Sequence, residues 1–358
     1  KWSKKGRNWL EQEIQYQIYD DGTFLQFSMN YNRVLVQLLS LGIAVSEKNK
    51  QPFSINFYSR AYKTLNFLYQ CLQKENGFLP NYGANDGALF FPLTDCEYRD
   101  YRPQLNTLHY ILTGENLFEN IEIQEDSFWV KNYRSSKQFF KKIEQKEGTI
   151  AFDIGGYYIC RTEYSFTFVR CGNHKDRPSH ADNLHLDVWV KGINILRDSG
   201  TYKYNTDNNL VDYFAGTRGH NTVLVCNNSQ MSKGTRFIWF YWTQSRGAKW
   251  NEENDYFIFK GSISAFRYLN KNAVHRRIIK VAKNSNQWIV KDEVLHLDNY
   301  TKKQLWHFDE VPVTFSSSEN NYSIELSFNS SFYGQKETGK AIGISFKKEV
   351  ETKIDYTL

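Results

Sequence analysis

From residue 7 to about residue 118 the apolar side chains recur at the spacing of one helix face, as in Val34, Leu35, Leu38 and Leu39, then Tyr62, Leu65, Phe67, Leu68 and Leu72. Breakers interrupt this pattern at Asp20-Asp21-Gly22, between Asn49 and Pro52, and along Asn81-Tyr82-Gly83-Ala84-Asn85-Asp86-Gly87. Amphipathic helices paired as hairpins are predicted. After about residue 120 the texture changes to short runs of β-branched and aromatic residues, which predict strands over 149–152, 157–161, 165–170, 184–190, 222–226, 237–242, 256–259 and 288–290. Helices first and strands second predict an α+β chain of two domains rather than a βαβ fold. The joint is expected between 120 and 148, where Ser135-Ser136-Lys137 and Lys141-Lys142 are polar, and we place the helical domain at 1–125 and an antiparallel β-sandwich domain at 126–358.

Composition sharpens this picture in one respect. The 358 residues include 24 Tyr, 26 Phe and 9 Trp, side chains that stack on sugar rings and also favour strands. The formal charge of +6 is modest and its basic residues are mixed with acids, which suits a polyanionic ligand better than nucleic acid. Five cysteines, with no CxxC spacing, suggest neither a disulfide framework nor a zinc ribbon; Cys160 and Cys171 lie in adjacent strand-like runs that would let them pair, but free buried thiols are the commoner arrangement. No apolar run is long enough to predict a membrane-spanning helix, and no signal peptide is visible. The opening Lys1-Trp2-Ser3-Lys4-Lys5 reads like the interior of a helical protein, so a fragment is expected.

The densest group of chemically capable residues runs from His174 to Asp187, where three histidines and three aspartates share 14 positions. In the strand expected from Leu184, alternation sets His185 and Asp187 on one face and Leu184, Leu186 and Val188 on the other. Asp198 and His220 follow downstream. Two histidines and a carboxylate from separate strand ends are sufficient to hold a divalent ion, and we nominate His180, Asp198 and His220, with zinc or calcium in a structural or electrostatic role. The alternative is a polar network that pins strand ends.

Several segments, in order, are similar to the signature segments of heparinase II/III-like polysaccharide lyases: Arg177-Pro178-Ser179-His180-Ala181-Asp182, Asp198-Ser199-Gly200-Thr201-Tyr202 and His220-Asn221-Thr222-Val223. Upstream, Asp21-Gly22-Thr23, Ser28-Met29-Asn30-Tyr31-Asn32-Arg33 and the Gly83–Gly87 loop also resemble that family. The resemblance implies an incomplete α/α toroid followed by antiparallel β-sheets, with an acidic polysaccharide or oligosaccharide bound in the groove between them. It implies β-elimination on a uronate glycan, Tyr31 as acid and base, and a periplasmic or secreted location. Candidate catalytic residues are Tyr31, His174, His180 and Arg33. Candidate substrate-binding residues are Asn30, Asn85, Asp86, Arg102, Arg177, Tyr202 and Tyr204.

The chain departs from the family pattern at Pro178, where many members carry a histidine, and His174 or His180 is expected to take that part. The family's carboxylate-binding asparagine or histidine would lie upstream of Lys1. Asn85-Asp86-Gly87 is also ordinary turn chemistry, Arg102 and Arg177 suit structural salt bridges as well as carboxylate clamps, and strand tyrosines are common. His109, His275, His296 and His307 sit among strand or helix residues outside the cluster and read as structural. Two rival functions remain at this level: a uronyl carbon-5 epimerase, which removes the same proton, and a glycan-binding or exopolysaccharide-biosynthesis module with degenerate chemistry.

Overall fold

The computed structural model describes residues 2–130, 140–309 and 311–357. They form two compact units: Lys1–Leu79 with Gly87–Gln145, and Pro80–Asp86 with Lys146–Leu358.

The first unit is helical, with α1 (Trp2–Gln17), α2 (Met29–Lys48), α3 (Ile55–Cys71), α4 (Arg102–Thr113) and the single turn α5 (Glu125–Phe128). Local chemistry sets the helix ends. Ser28 Oγ accepts the Tyr31 N–H at 3.0 Å to start α2, and Ser54 Oγ accepts the Phe57 N–H at 3.2 Å to start α3. Gly22 has φ +93°, and a Cβ there would lie 2.2 Å from the Lys63 carbonyl oxygen, so the breaker before α2 is a close backbone approach as well as a turn. Val36, Leu39, Ile43, Leu65, Leu68, Leu105, Leu108 and Leu112 are buried; Leu38, on the expected face, is 42% exposed. The apolar stripe of α2 is therefore narrower than its sequence suggests.

This unit extends past the expected 125/126 joint. Gln145 Nε2 donates to the Tyr69 and Leu72 carbonyls, both at 2.7 Å, Gln70 Nε2 donates to the Glu144 carbonyl at 2.8 Å, and Tyr62 stacks on Phe140 at 4.5 Å. Glutamine side chains tie an otherwise polar segment to the end of α3, a link that hydrophobic periodicity does not register. Ser135, Ser136 and Lys137 lie outside the described residues.

The second unit is antiparallel β. A five-stranded meander runs β1 (Gly148–Phe152), β2 (Tyr157–Arg161), β3 (Phe166–Arg170), β4 (Leu186–Val190) and β5 (Ile193–Leu196). Next along the chain come α6 (Asn208–Ala215), β6 (Val223–Val225) and a short hairpin of β7 (Ser232–Lys233) with β8 (Trp239–Phe240). A six-stranded sheet is built from β9 (Gln244–Glu252), β10 (Tyr256–Ser264), β11 (Val274–Ala282), β12 (Gln287–Leu295), β14 (Val313–Ser317) and β17 (Glu349–Tyr356). A four-stranded sheet joins β6 to β13 (Lys302–His307), β15 (Tyr322–Asn329) and β16 (Glu337–Phe346). One core packs Leu186, Val188 and Val190 of β4 with Ile279, Val281, Trp288, Val290, Trp306 and Ile354.

The α+β class stands as expected, with helices preceding antiparallel sheets. One local expectation changes. The 237–242 run keeps only Trp239 and Phe240 as strand, because Arg236 and Tyr241 take positive φ and turn the chain. All five cysteines are free thiols, Cys160 and Cys171 among them and both buried.

Within the β core sits a buried ion pair. Arg277 on β11 faces Asp292 on β12 in register and forms a fork, Nε to Oδ1 and Nη2 to Oδ2, each at 2.7 Å. His275 Nε2 lies 2.8 Å from Asp292 Oδ1, and Gln304 Nε2 donates to Oδ2 at 2.7 Å, so His275 has an acidic partner that sequence distance concealed. Burial pushes the Asp292 carboxyl up, but Arg277 and then His275 outweigh it and hold it below the usual carboxylate range. Asp292→Ala leaves the Arg277 charge buried and unpaired and is expected to cost about 3–5 kcal/mol, measured by urea unfolding. Because the folded-state value is depressed, the stabilisation from Asp292 is present at neutral pH and is lost as pH falls below the ordinary carboxylate range, so the wild-type advantage over this variant should shrink in acid.

Candidate active site

The histidine-rich run folds into the connection between β3 and β4; Lys175, Asp176 and Arg177 are exposed, while His174 and the stretch from His180 to Asp187 are buried. Leu184, with φ +63°, turns the chain into β4. Alternation then holds as expected: Leu186, Val188 and Val190 enter the core, while His185 and Asp187 face the other way. Asp198 follows β5 and His220 precedes β6, and both side chains are fully buried beside His185.

His220 Nδ1 lies 3.0 Å from Asp198 Oδ2, and its ring is 5.4 Å from that of His180 and 5.5 Å from that of His185. Asp198 is itself held, its Oδ1 accepting the Gly200 N–H at 2.8 Å and its N–H donating to Asp187 Oδ2 at 3.2 Å. His185 Nδ1 accepts the Asn221 N–H at 3.0 Å, so its hydrogen sits on Nε2, which faces Asp198 Oδ2 at 3.7 Å and Asp187 Oδ2 at 3.8 Å. Buried without a hydrogen-bond partner are His180 Nδ1, His220 Nε2 and both carboxylate oxygens of Asp182, although the Tyr82 phenol stands near that carboxylate.

Among the described residues, two sets of three can place ligand atoms within 4.8 Å of one another: His180, Asp182 and His220, and His185, Asp198 and His220. The cluster can therefore hold a metal ion. The nominated His180, Asp198 and His220 all belong to it, but they are divided between the two sets, and Asp182 and His185 join them. Unpaired buried donor atoms fit an ion at His180, His220 and Asp182, and the 3.0 Å approach of Asp198 to His220 is also close to the roughly 3.3 Å between two ligands of one tetrahedral zinc. His185 fits less well, because the Asn221 N–H occupies the lone pair of Nδ1 and puts the hydrogen on Nε2.

Burial, and then the neighbouring His220, pushes His180 down to about 4, and burial followed by Arg170 pushes His174 well below its ordinary value, so both rings are neutral at neutral pH. Burial alone would raise Asp198, but His220 and His185 bring it to about 2. His307, read from sequence as structural, is buried close enough to be affected: burial first and then His220 lower it to about 3, and its Nδ1 bonds Ser327 Oγ at 2.9 Å.

The loop 80–86 is part of this unit and brings two expected residues with it. Tyr82 is fully enclosed against Tyr157 and Phe168, and its hydroxyl accepts from Arg170 Nε at 3.0 Å. Asn81 Nδ2 donates to the Ser330 carbonyl at 2.8 Å, and Thr201 Oγ1, which lies 3.5 Å from His180 Nε2, donates to the Gly83 carbonyl at 3.2 Å. Gly200, at φ +76°, is required here, since a Cβ would lie 2.2 Å from Asn81 Nδ2. Asn85, buried, and Asp86, exposed, follow directly on this anchored segment.

The other expected residues separate. Tyr31 sits half-buried in the first turn of α2, within the helical unit. Asn30 Oδ1 accepts from Arg33 Nη2 at 2.9 Å and from the Tyr98 hydroxyl at 2.7 Å, while its Nδ2 is buried without a partner. Arg33 is fully buried between the rings of Tyr98 and Tyr101, each 4.3 Å away, so it positions Asn30 and has no face to offer a substrate. Arg102 is committed to a forked pair with Asp100, Nε to Oδ1 at 2.9 Å and Nη2 to Oδ2 at 2.7 Å, which closes the turn ahead of α4. Arg177, Tyr202 and Tyr204 remain at the surface of the β unit, exposed or half-buried.

Sequence reasoning passed over Asp182, His185, Tyr82, Arg170 and Asn221. Asp182 and His185 stood inside the quoted run, so their residue types were the signal. For Asn221 no local pattern signals what the fold asks of it. Its Nδ2 donates to the Leu186 and Arg197 carbonyls at 2.8 and 3.2 Å, and its Oδ1 accepts the His307 N–H at 2.6 Å. Asn221→Ala strips three buried backbone groups of their partner at once. The expected loss is about 3–5 kcal/mol by chemical denaturation, larger than a single hydrogen bond would give.

Residues 144–355, more than half of the chain, match the family described as heparinase II/III-like, C-terminal. The chain is 21% identical over 315 residues to a heparin-sulfate lyase of Bacteroides stercoris, covering 82% of this chain and 40% of that protein. It is 24% identical over 248 residues to a heparin-sulfate lyase of Bacteroides thetaiotaomicron, covering 63% of this chain and 33% of that protein. Among solved structures, a heparinase III matches with TM-score 0.75 at 15% identity over 99% of this chain and 55% of that one. A heparan sulfate lyase from Pedobacter heparinus matches with TM-score 0.71 at 14% identity over 99% and 56%. The chain thus spans less than half the length of these curated relatives. Matched in sequence across its β unit and in fold along nearly its whole length, the chain belongs to the heparinase II/III-like family.

Proposed function

We propose that the chain is the catalytic part of a polysaccharide lyase that cleaves a uronate-containing, acidic glycan by β-elimination, as the names of its relatives suggest. The observation that carries this reading is the buried cluster of His180, His185, His220, Asp182 and Asp198, in which unpaired ring nitrogens and carboxylate oxygens converge at a cost in stability that packing alone does not require.

β-Elimination needs positive charge or hydrogen-bond donors on the uronate carboxylate, a base for the proton on carbon 5, and an acid for the departing glycosidic oxygen. Tyr31 is the acid and also the base in this reading, with a histidine of the 174–185 run assisting. A neutral imidazole at His174 or His180 suits an acceptor, since burial prevents either from being already protonated at neutral pH. Asn30, buttressed by Arg33 and Tyr98, would offer its unpaired Nδ2 as a donor. Asn85 and Asp86 would contact sugar hydroxyls.

A divalent ion would be held by His180, Asp182 and His220, with Asp198 set against His220 Nδ1, and when bound it would supply fixed positive charge to this face of the β unit. Two imidazoles with carboxylates suit zinc; calcium prefers an all-oxygen set. Protein purified without added metal is expected to carry about one zinc per chain by elemental analysis. His220→Ala should abolish it and lower the melting temperature, and a metal-free wild type with unchanged melting under chelator would remove the ion from the proposal.

Tyr31→Phe keeps the ring and deletes the hydroxyl, so binding of the polysaccharide should survive while turnover falls by about 100- to 10,000-fold. The measurement is ultraviolet absorbance of the unsaturated uronate product across a panel of uronate polysaccharides. A folded Tyr31→Phe protein with wild-type turnover would shift the proton transfers to His174 and His180, to be tested as alanine variants. Proton exchange at carbon 5 without any unsaturated product would identify an epimerase instead.

A further inference from the structure

The helical unit holds a cavity that the proposed chemistry does not use. Its volume is about 180 Å³, and it lies where α2, α4 and the single turn α5 meet the 91–93 segment. A cavity of roughly 150 Å³ is enough to take up a molecule the size of benzene. Leu41, Phe91, Leu93, Trp129 and Val130 supply apolar wall, with Leu41 and Trp129, 42% and 60% exposed, at the rim. Gln37 pins one side in place: its Oε1 accepts the Phe90 N–H at 2.9 Å and its Nε2 donates to the Phe91 carbonyl at 2.8 Å.

Two acceptors in this apolar setting go unsatisfied. Asp126 and Gln104 both line the cavity and are 5% and 2% exposed. Gln104 Nε2 donates to Asp126 Oδ2 at 3.2 Å, which leaves Gln104 Oε1 and Asp126 Oδ1 buried without a hydrogen-bond partner. Among the described residues no cation pairs with Asp126. The remaining polar walls have no proton to offer. Ser40 Oγ donates to the Val36 carbonyl at 2.9 Å and Thr107 Oγ1 to the Pro103 carbonyl at 3.0 Å, so each hydroxyl is spent within its own helix. What the cavity lacks is hydrogen-bond donors, and beside a carboxylate the complement is a donor that carries positive charge. Burial pushes Asp126 up to about 6, against the Gln104 bond that lowers it, so at neutral pH its charge is present but poorly compensated.

We propose that this cavity binds a small primary amine as its ammonium ion, which donates to Asp126 Oδ1 and Gln104 Oε1 while a short alkyl or aryl stem packs on Leu41, Phe91 and Trp129. An ammonium brings three donors and no acceptor, which matches a site that presents acceptors alone; a guanidinium brings five, more than the walls can satisfy. A hard metal ion suits the site less well, since calcium takes roughly 6–8 oxygen ligands and Asp126 belongs to neither metal-capable set. An apolar guest would fill the space and leave the carboxylate desolvated and unpaired. Every residue of the site lies in the helical unit, and the inference does not rest on the lyase reading.

Calorimetric titration of the whole chain at neutral pH with butylamine and phenethylamine, and with butanol and phenethyl alcohol as neutral counterparts of the same shape, tests the site. Each amine should bind about tenfold more tightly than its alcohol. Asp126→Asn keeps the shape of the side chain and should erase that preference. Leu41→Trp, made at an exposed rim position, should block amines and alcohols alike, and it keeps the test decisive if Asp126→Asn fails to fold; cooperative melting identifies the folded variants. A lysine amide blocked at its α-amino group separates two sources of the same ammonium chemistry: weaker binding than butylamine assigns the site to a free amine, tighter binding to a lysine side chain of a peptide. Failure of the folded wild type to bind any amine, amine binding that Leu41→Trp leaves untouched, or an amine preference that survives Asp126→Asn would overturn the site, whatever polysaccharide the chain cleaves.

Discussion

The site depends on one buried charge. Arg277 spends two of its donors on Asp292, and its remaining Nη1 donates to the carbonyls of Leu184 and Asn221, both at 2.6 Å. Leu184 immediately precedes His185, and Asn221 immediately follows His220, so a single guanidinium clamps the two chain segments that carry these histidines. A hydrophobic residue of the same volume would pack against Trp306 but would leave both carbonyls unsatisfied. Buried ion pairs seldom add much net stability, so conformational definition is the more reasonable account of this one. Asn221 then passes the constraint on, since its backbone N–H sets the tautomer of His185 and its side chain holds Leu186 and Arg197, the residue before Asp198.

A second device lies in residues 80–86. The segment interrupts the helical unit in sequence but belongs with the β unit, held by Tyr82 under Arg170, by Asn81 on Ser330 and by Gly83 on Thr201. Burial alone would lower the Arg170 pKa, but Tyr82, Tyr157 and Asp182 reverse this, so its charge is retained beside the carboxylate of the histidine cluster. The glycines at 83 and 200 follow from the same geometry, both at positive φ, with the chains too close at Gly200 for a side chain. The helical unit shows comparable economy around Asn30, where Arg33 is held between two tyrosine rings and directs the amide, while the neighbouring Tyr31 takes its place from the Ser28 cap.

Much of this was legible in the sequence. The change from helical to alternating periodicity marks the α+β class, because burying one stripe of a helix and one face of a strand imposes those periods directly. The concentration of His174, His180, His185, Asp182 and Asp187 marks the site region, because so many ionisable groups in a strand-forming stretch would be costly without a use. The cap at Ser28 and the turn at Gly22 are likewise local and were readable as such. What only the tertiary structure decided involves partners far apart in the chain: Arg33 is enclosed between Tyr98 and Tyr101, Asp182 and His185 enter the metal-capable cluster, and the helical unit continues to residue 145 through two glutamine side chains. His275 illustrates the reason. It has no acid nearby in sequence, yet cross-strand packing brings Asp292 to 2.8 Å, and a hydrogen bond depends on that spatial distance and not on the 17 residues between them.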